Sequence, residues 1–171
     1  MIKSEKKLKD LSALLNKDNN ILITEAIGLL RDELPFEGAI GAIISYYDRC
    51  EDLTIRKTIE GFMNDIKDQS ACTEVISEIR KSWKDETISM LISSCWQSGL
   101  NYTDYSTDFA NVFVKGDYIT AIECLTVIEE SSAELTKDVK EEIRKIVKDS
   151  SSAFSHEKKS LTDELMDILN R

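Results

Sequence analysis

The feature that most constrains this chain is a pattern of apolar residues that returns every 33 positions. Within one copy the apolar residues are spaced i, i+4, i+7 and i+8, which is one face of an α-helix. A fixed period of this size is typical of a solenoid, in which each helical hairpin buries its apolar face on its neighbours. Four registers carry the pattern: Leu22, Ile55, Ile88 and Ala121; Ala26, Ile59, Ile92 and Leu125; Leu29, Phe62, Cys95 and Ile128; and Leu30, Met63 and Trp96.

Length and composition agree with a single all-α domain over residues 1–171. The chain has one proline, Pro35, and six glycines, so few positions interrupt a helix. An apolar fraction of 42% with 32% charged residues is ordinary for a globular protein. We predict about five antiparallel hairpins with a period of roughly 33 residues, over residues 4–33, 36–67, 70–99, 101–132 and 136–170.

Helix ends can be read at several positions. Asp52, Asp85 and Asp117 each follow a short polar turn, where a carboxylate accepts backbone N–H bonds and favours a helix N-terminus. Gly99 is a plausible helix stop. The last hairpin departs from the pattern, with a serine-rich turn at 149–156 and a final helix that reads as an end cap. That helix is expected to bury Leu161, Leu165, Ile168 and Leu169.

The segment EGAIGAIISYYDRCEDLTIRKTIEGFMNDI, residues 37–66, resembles a HEAT repeat, a member of the armadillo/HEAT superfamily. Asp52, Ile55 and Arg56 match the Asp, Val and Arg positions of that family. The resemblance extends from about Leu8 to Ser132, although the proline common in the first helix of these repeats is missing. It implies a short right-handed α-α superhelix whose second helices, the B helices, line a concave side that holds peptides, helices or proteins.

The charge and the cysteines of the chain limit which partners and which compartment are expected. The formal net charge is −10, and residues 86–136 carry eight acids against one base, Lys115. This argues against a nucleic-acid partner. The acidic region is either a solvated surface or a docking face for a basic partner. No membrane span or signal peptide is visible, so we expect a cytoplasmic protein. Four widely spaced cysteines read as small buried hydrophobes, with a disulfide as the alternative.

Catalytic, metal and cofactor motifs are weak. His156 lies beside Ser150, Ser151 and Ser152, but sequence neighbours seldom form a nucleophile and base, and a flexible loop is the simpler interpretation. Two carboxylates at i, i+4, Asp104 and Asp108, are too few for a hard cation. No glycine-rich phosphate loop is present. We therefore expect no catalytic residue, no metal and no cofactor.

The period also predicts a binding surface on the outward face of the B helices. Steps of 33 residues opposite the buried registers give three mostly polar ridges, a pattern that equally describes a solvated helix face. Trp83, in a turn near the acidic region, is a further candidate because an exposed indole packs on cations. The candidate partner-binding residues are Lys57, Glu60, Asn64, Trp83, Met90, Ser93, Gln97, Glu123, Thr126 and Glu130.

These observations predict a monomeric, non-catalytic scaffold or adaptor that binds a protein or peptide, possibly a basic one, through the B-helix face and residues 86–136. One alternative is a nucleic-acid enzyme like the HEAT-like DNA glycosylases, which the acidic ridges disfavour. The other alternative is a structural or oligomeric solenoid, which the charged face of the last helix disfavours.

Overall fold

A computed structural model describes residues 2–17, 19–31 and 36–171, and within these ranges the chain forms ten α-helices and no strand. This confirms the all-α prediction. Two short 3-10 turns lie at Thr103–Tyr105 and Ser151–Ala153. The helices are α1 (Ile2–Leu15), α2 (Asn20–Arg31), α3 (Ala39–Arg49), α4 (Leu53–Asn64), α5 (Ala71–Ile79), α6 (Asp85–Ser98), α7 (Ser106–Lys115), α8 (Tyr118–Ser131), α9 (Lys137–Ser150) and α10 (His156–Asn170).

Helices that are two apart in the sequence pack on each other. Among the even-numbered helices, α2 contacts α4, α4 contacts α6, α6 contacts α8, and α8 contacts α10. Among the odd-numbered helices, α1 contacts α3, α3 contacts α5, and α7 contacts α9. We call the first set the even layer and the second set the odd layer. The apolar core lies between the two layers, and Phe109 and Phe113 of α7 are among its largest fully buried side chains.

Most members of the apolar registers are buried; Leu22, Leu30, Ile88 and Trp96 are partly buried, and Leu29 is exposed. Ala26, Ile59, Ile92 and Leu125, which share a register, are all buried. The prediction that Leu29 is buried is wrong, since this residue is 67% exposed although its equivalents Phe62, Cys95 and Ile128 are buried. The reason is that α2 is the first helix of the even layer and packs on α1 and α4, so no earlier repeat covers its outer side.

The helix ends follow local rules at two of the three predicted acidic caps. Oδ1 of Asp52 accepts from the N–H of Thr54 at 2.8 Å, and Oδ1 of Asp117 accepts from the N–H of Thr120 at 2.8 Å. Gly99 ends α6 with a φ of 70°, a left-handed conformation that glycine adopts without strain. Asp85, however, is not a cap, because it is the first residue of α6 itself.

The start of α6 receives its acceptor from the neighbouring repeat. Oδ1 of Asp48, near the end of α3, accepts from the backbone N–H of Lys84 at 3.0 Å. The same oxygen accepts from the hydroxyl of Thr87 at 2.8 Å. Asp48 therefore ties the start of α6 to the end of α3, although it lies 36 residues before Lys84. It differs from Asp52 and Asp117, which accept from backbone N–H groups in the first turn of their own helices.

The period is also visible in hydrogen bonds between repeats. Four of them join residues that are 33 positions apart, which places equivalent positions of successive repeats side by side. They run from Arg49 to Asn16, from the Gly41 N–H to Glu74, from Asn64 to Gln97, and from Asn101 to Glu134.

The last helix is fastened by a buried lysine. Nζ of Lys158, a residue that is 8% exposed, donates to the carbonyls of Val114 at 3.1 Å and Gly116 at 2.7 Å, at the end of α7. Burial lowers the pKa of this ammonium group. The four aliphatic residues predicted to be buried in this helix are buried. His156 does not lie in a loop, because Ser155 caps α10 and His156 is its first residue.

Candidate functional site

A groove of about 380 Å³ crosses the even layer over α4, α6 and α8. We refer to it as the groove throughout. Its lining comes from three even helices and from one residue of α3, so neighbouring repeats build it together. The lining residues are Tyr47, Arg56, Glu60, Asn64, Asp85, Glu86, Ser89, Met90, Ser93, Gln97, Asp117, Ile119 and Glu123.

The groove contains six of the ten residues predicted to bind a partner: Glu60, Asn64, Met90, Ser93, Gln97 and Glu123. Met90 was predicted to face outward and is instead only 9% exposed, because it lies on the floor where the helices converge. Lys57, Thr126 and Glu130 are not part of the lining. The outward registers and the groove lining thus overlap in part, on α4, α6 and α8.

On the α4 side, a guanidinium group already occupies the groove. Nη2 of Arg56 donates to Oε2 of Glu86 at 3.0 Å and to the hydroxyl of Tyr47 at 3.1 Å. The guanidinium lies over the Tyr47 ring, 4.4 Å from its centroid, in cation–π geometry. The Tyr47 hydroxyl in turn donates to Oε1 of Glu60 at 2.7 Å. On this side of the groove, a carboxylate and an aromatic face thus hold the Arg56 side chain of the chain itself.

These contacts shift two ionisation equilibria in the same direction. Burial, together with the hydrogen bond to Glu60, raises the pKa of Tyr47 to about 12. The hydrogen bond with the Tyr47 hydroxyl raises the pKa of Arg56, and Glu86 adds to the effect. Tyr47 thus stays a neutral donor and Arg56 stays charged across the physiological range.

On the α8 side, the groove is lined by smaller and more acidic side chains. Ser89 and Ser93 of α6 are short, and they face Ile119 and Glu123 of α8. Oε2 of Glu123 accepts from Nε1 of Trp96 at 2.7 Å, which fixes the carboxylate against α6. No arginine lies on this side of the lining.

A polar chain connects the two sides at the far end of the groove. The side-chain amide of Asn64 donates to Oε1 of Gln97 at 2.7 Å, and the amide of Gln97 donates to the hydroxyl of Ser93 at 2.7 Å. These groups satisfy one another, so the side chains are already oriented before any partner arrives.

The lining is strongly acidic. It contains five carboxylates, from Glu60, Asp85, Glu86, Asp117 and Glu123, and one basic residue, Arg56. Among the described residues, Glu86 is the one carboxylate of this set within ion-pair distance of a base. Backbone N–H donation, chiefly from Thr120, lowers the pKa of Asp117 and keeps it ionised. The other four carboxylates line the groove with no base of the described residues within ion-pair distance.

Exposed aliphatic residues lie next to this charge at the start of α8. Ile119, in the groove lining, is 62% exposed, and Tyr118 and Ile122 beside it are also exposed. Large apolar side chains that meet water next to unpaired charge are a common feature of protein-binding surfaces.

Both tryptophans are half-buried. For Trp83 this agrees with the predicted partial exposure, but the residue packs against the core and does not line the groove. Lys81 lies 6.0 Å from its ring centroid. Trp96, predicted to be in the core, is also half-buried, and its indole N–H reaches Glu123 at the edge of the groove.

A larger cavity of about 790 Å³ lies between α2, α3, α4 and α5. Its lining includes Arg31 and Phe36. Pro35, the predicted break between the first two hairpins, lies outside the described residues.

Asp108, one of the two carboxylates considered as cation ligands, is engaged by another side chain. Asp108 receives a two-pronged ion pair from Arg80, with distances of 2.8 and 2.9 Å, so it holds a side chain rather than a metal. In the described part of the chain, no group of three or more histidine, cysteine or acidic residues is placed to hold a metal ion. None of the described helices is long and apolar enough to cross a membrane.

The cysteines are free and buried, which confirms their interpretation as small hydrophobes. Burial raises the pKa of Cys72, Cys95 and Cys124, so these thiols stay protonated and unreactive in the folded chain.

Comparison with family models, with curated proteins and with solved structures finds no match for this chain.

Proposed function

We propose that this chain is a non-catalytic scaffold that binds a protein or peptide in the groove of its even layer. The observation that carries the proposal is the groove itself, where carboxylates without a cation lie beside exposed aliphatic residues. Asn64, Gln97 and Ser93 hold one another in place, which lowers the entropic cost of binding.

We also propose that the fold is a HEAT-like solenoid of five helical hairpins that form a right-handed superhelix. Two findings support this architecture. Helices that are two apart pack on each other along the even layer, and four hydrogen bonds join residues 33 positions apart. In such a solenoid the even layer is the concave side, which is the side that contains the groove.

A binding role accounts for the chemistry of the groove better than catalysis does. Arg56 and Glu86 of the groove are held in a fixed ion pair. The other ionisable groups of its lining are carboxylates outside ion-pair distance of a described base, and Tyr47, which donates to one of them. The groove contains no serine or cysteine paired with a base, which a nucleophilic mechanism needs. Four free thiols suit a reducing compartment, which supports a cytoplasmic location. We further propose that the chain acts as a monomer, which sedimentation over a range of concentrations tests.

The proposed function is tested by site-specific photo-crosslinking in cells of the source organism. A photoreactive amino acid replaces Ile119, which lines the groove at the second position of α8. The matched control replaces Ile21, an exposed isoleucine at the second position of α2 that is not part of the lining. We expect discrete protein adducts from position 119 and none of the same adducts from position 21.

Equal adducts from both positions, or none from position 119, would contradict the proposed face. Circular dichroism of both variants shows whether the helical content is unchanged, so that loss of adducts is not due to unfolding. A DNA retardation assay at low salt completes the test, because the acidic groove predicts no retardation.

A further inference from the structure

One face of α2 is exposed although the same face is buried on later helices of the even layer. Its residues are spaced i, i+4, i+7 and i+8, so they lie on one side of the helix. We call this face the end stripe; it consists of Ile21, Glu25, Gly28 and Leu29. All four residues are exposed, and for Ile21 the exposed fraction is 71%.

The equivalent positions of the later even helices are covered. On α6, steps of 33 residues lead to four buried residues, Thr87, Leu91, Ser94 and Cys95. On α8 they lead to four more, Thr120, Cys124, Val127 and Ile128. On α4, which has one even helix before it, the face changes from exposed Thr54 through half-buried Thr58 and Gly61 to buried Phe62. The burial of this face thus increases with the number of repeats that precede the helix.

Contacts between α2 and α4 show that a parallel helix covers this face. Nη2 of Arg31, at the end of α2, lies 3.3 Å from the place that a Cβ on Gly61 would take. Arg31 also pairs with Asp65 at the end of α4, and the Asn20 side chain donates to Asp52 at its start. Start thus meets start and end meets end, so α2 runs beside α4 in the same direction.

The two ends of the even layer differ in what they show to water. In α10, at one end, all exposed residues are polar or charged, as at His156, Lys159 and Asp163. A polar outer face of this kind is what the terminal helix of a solenoid needs. In α2, at the other end, Ile21 and Leu29 are exposed on the side that later helices bury. The outer face of α2 therefore resembles a helix–helix contact surface rather than that of an end cap.

We propose that the end stripe is a docking surface for an amphipathic helix of a partner protein, which packs aliphatic side chains on Ile21 and Leu29 and places a lysine or arginine at Glu25. The helix lies beside α2 as α2 lies beside α4. Its closest approach is at Gly28, where the place that a Cβ would take is open among the described residues. The end stripe shares no residue with the groove, so this inference goes beyond the proposed function, and Ile21 remains a control for the adducts of Ile119.

Charge decides which helix fits the end stripe. The carboxylate of Glu25 is exposed in the middle of the stripe, and no base among the described residues lies within ion-pair distance of it. A lysine or arginine of the partner pairs with it beside the apolar contacts. A second copy of this chain fits less well, because a two-fold contact centred on the stripe places two Glu25 carboxylates opposite each other. The formal net charge of −10 also favours a basic partner over another copy.

The first test is a selection from a displayed library of a stable helical bundle in which the outer face of one helix is randomised. The selection is made on wild type, Leu29→Glu and Leu53→Glu. Leu53 is the matched control, since it is an exposed leucine at the start of α4, outside the end stripe and the groove lining. We expect wild type and Leu53→Glu to enrich helices with two aliphatic residues on one face and a base between them. Leu29→Glu should enrich none of these.

The outcomes separate this inference from the proposed function. The docking surface is overturned if wild type enriches no helix that depends on Leu29, or if the helices that depend on it carry no base. Helices that Leu29→Glu still binds and Ile119→Glu releases lie in the groove, a result that overturns this inference and supports the proposed function. Because Leu29 and Leu53 are both exposed, circular dichroism should show unchanged helical content in both variants.

The second test measures one enriched bundle by fluorescence anisotropy at low salt. Leu29→Glu should weaken its binding at least about tenfold, because a charge replaces an apolar contact. Glu25→Lys should weaken it about five- to tenfold, because the partner's base then meets a like charge. The control, Glu130→Lys, makes the same charge change at an exposed acid of α8 outside the groove lining and should alter the affinity less than about twofold.

A charge exchange separates pairing with Glu25 from a general effect of net charge. A bundle whose selected base is replaced by glutamate should bind Glu25→Lys more tightly than it binds wild type or Glu130→Lys. Equal affinity of this bundle for Glu25→Lys and Glu130→Lys, or an equal loss of the original bundle in both variants, overturns the pairing with Glu25 and with it the docking surface.

Discussion

The contact of Asp48 with the start of α6 predicts a large and specific loss of stability when it is removed. In an Asp48→Ala variant, the hydroxyl of Thr87 loses its acceptor while only 1% of that residue is exposed. An unpaired buried hydroxyl costs about 1–3 kcal/mol. The backbone N–H of Lys84 also loses its acceptor, and a hydrogen bond of this kind contributes about 0.5–1.5 kcal/mol.

Together these losses reduce the free energy of unfolding by about 3 kcal/mol. For a chain of this size, that corresponds to a melting temperature lower by about 6–12 °C. A double-mutant cycle with Thr87→Val isolates the shared part, because valine has the shape of threonine without the hydroxyl. We expect a coupling energy of about 1–2 kcal/mol between the two positions.

The assay is urea unfolding followed by helical circular dichroism, with thermal melts in parallel. Asp104→Ala is the matched control, since Asp104 is an exposed acid outside α6. This variant should change the free energy of unfolding by no more than about 0.5 kcal/mol. The reasoning is refuted if Asp48→Ala lowers the free energy of unfolding no more than Asp104→Ala does, or if the coupling energy is near zero. Either result would show that the contact of Asp48 with Lys84 and Thr87 does not stabilise the start of α6.

Three further predictions follow from buried groups. Lys158→Met should reduce the free energy of unfolding by about 2 kcal/mol in the same assay, because two carbonyls at the end of α7 lose their donor. Burial raises the pKa of Glu74, with Glu78 adding to the effect, so the folded chain holds that proton more tightly than the unfolded chain. Wild-type stability is therefore lost as pH rises from about 4.5 through the folded pKa, and Glu74→Gln should gain melting temperature over wild type at pH 7 relative to pH 4. The four cysteines should react with a thiol reagent only after denaturation, and fast labelling of the native chain would contradict their burial.

The helices and most of the core follow from local spacing in the sequence. A register such as Ala26, Ile59, Ile92 and Leu125 identifies a buried face because helical periodicity alone places its members on one side. Leu29 shows the limit of that argument. Periodicity says which residues share a face, and only the presence of a neighbouring helix decides whether that face is covered.

The helix ends divide in the same way. Asp52 and Asp117 bond to N–H groups two or three residues later, so the sequence beside them is sufficient to predict the cap. Asp48 bonds to a residue 36 positions away, and no local rule connects the two. Asp85 was chosen as the cap of α6 because it follows a turn, as the other two acids do.

Part of the groove lining coincides with positions that the sequence predicts to face outward. Counting outward from the buried registers gives Glu60, Asn64 and Gln97, which line the groove. Tyr47 was missed as a groove residue because it lies in α3, the first helix of its hairpin, whereas the predicted surface was taken from the second helices. Its ring is buried, and its hydroxyl nevertheless reaches Glu60 in the even layer. A long aromatic side chain can thus serve both layers, which a classification of positions as inside or outside does not describe.

The Asp48 contact also bears on binding, because it holds α6, and α6 supplies six of the thirteen lining residues of the groove. Asp48 is not part of the lining, so a partner does not contact it in the groove. If α6 were held only by its apolar face, Asp48→Ala would lower stability and leave the yield of photo-crosslinked adducts from position 119 unchanged. If the Asp48 contact sets the position of α6 relative to α4 and α8, the variant should give fewer of these adducts even under conditions where it is fully folded. The second result is expected, since Ser89, Ser93 and Gln97 all depend on the placement of that one helix relative to its neighbours.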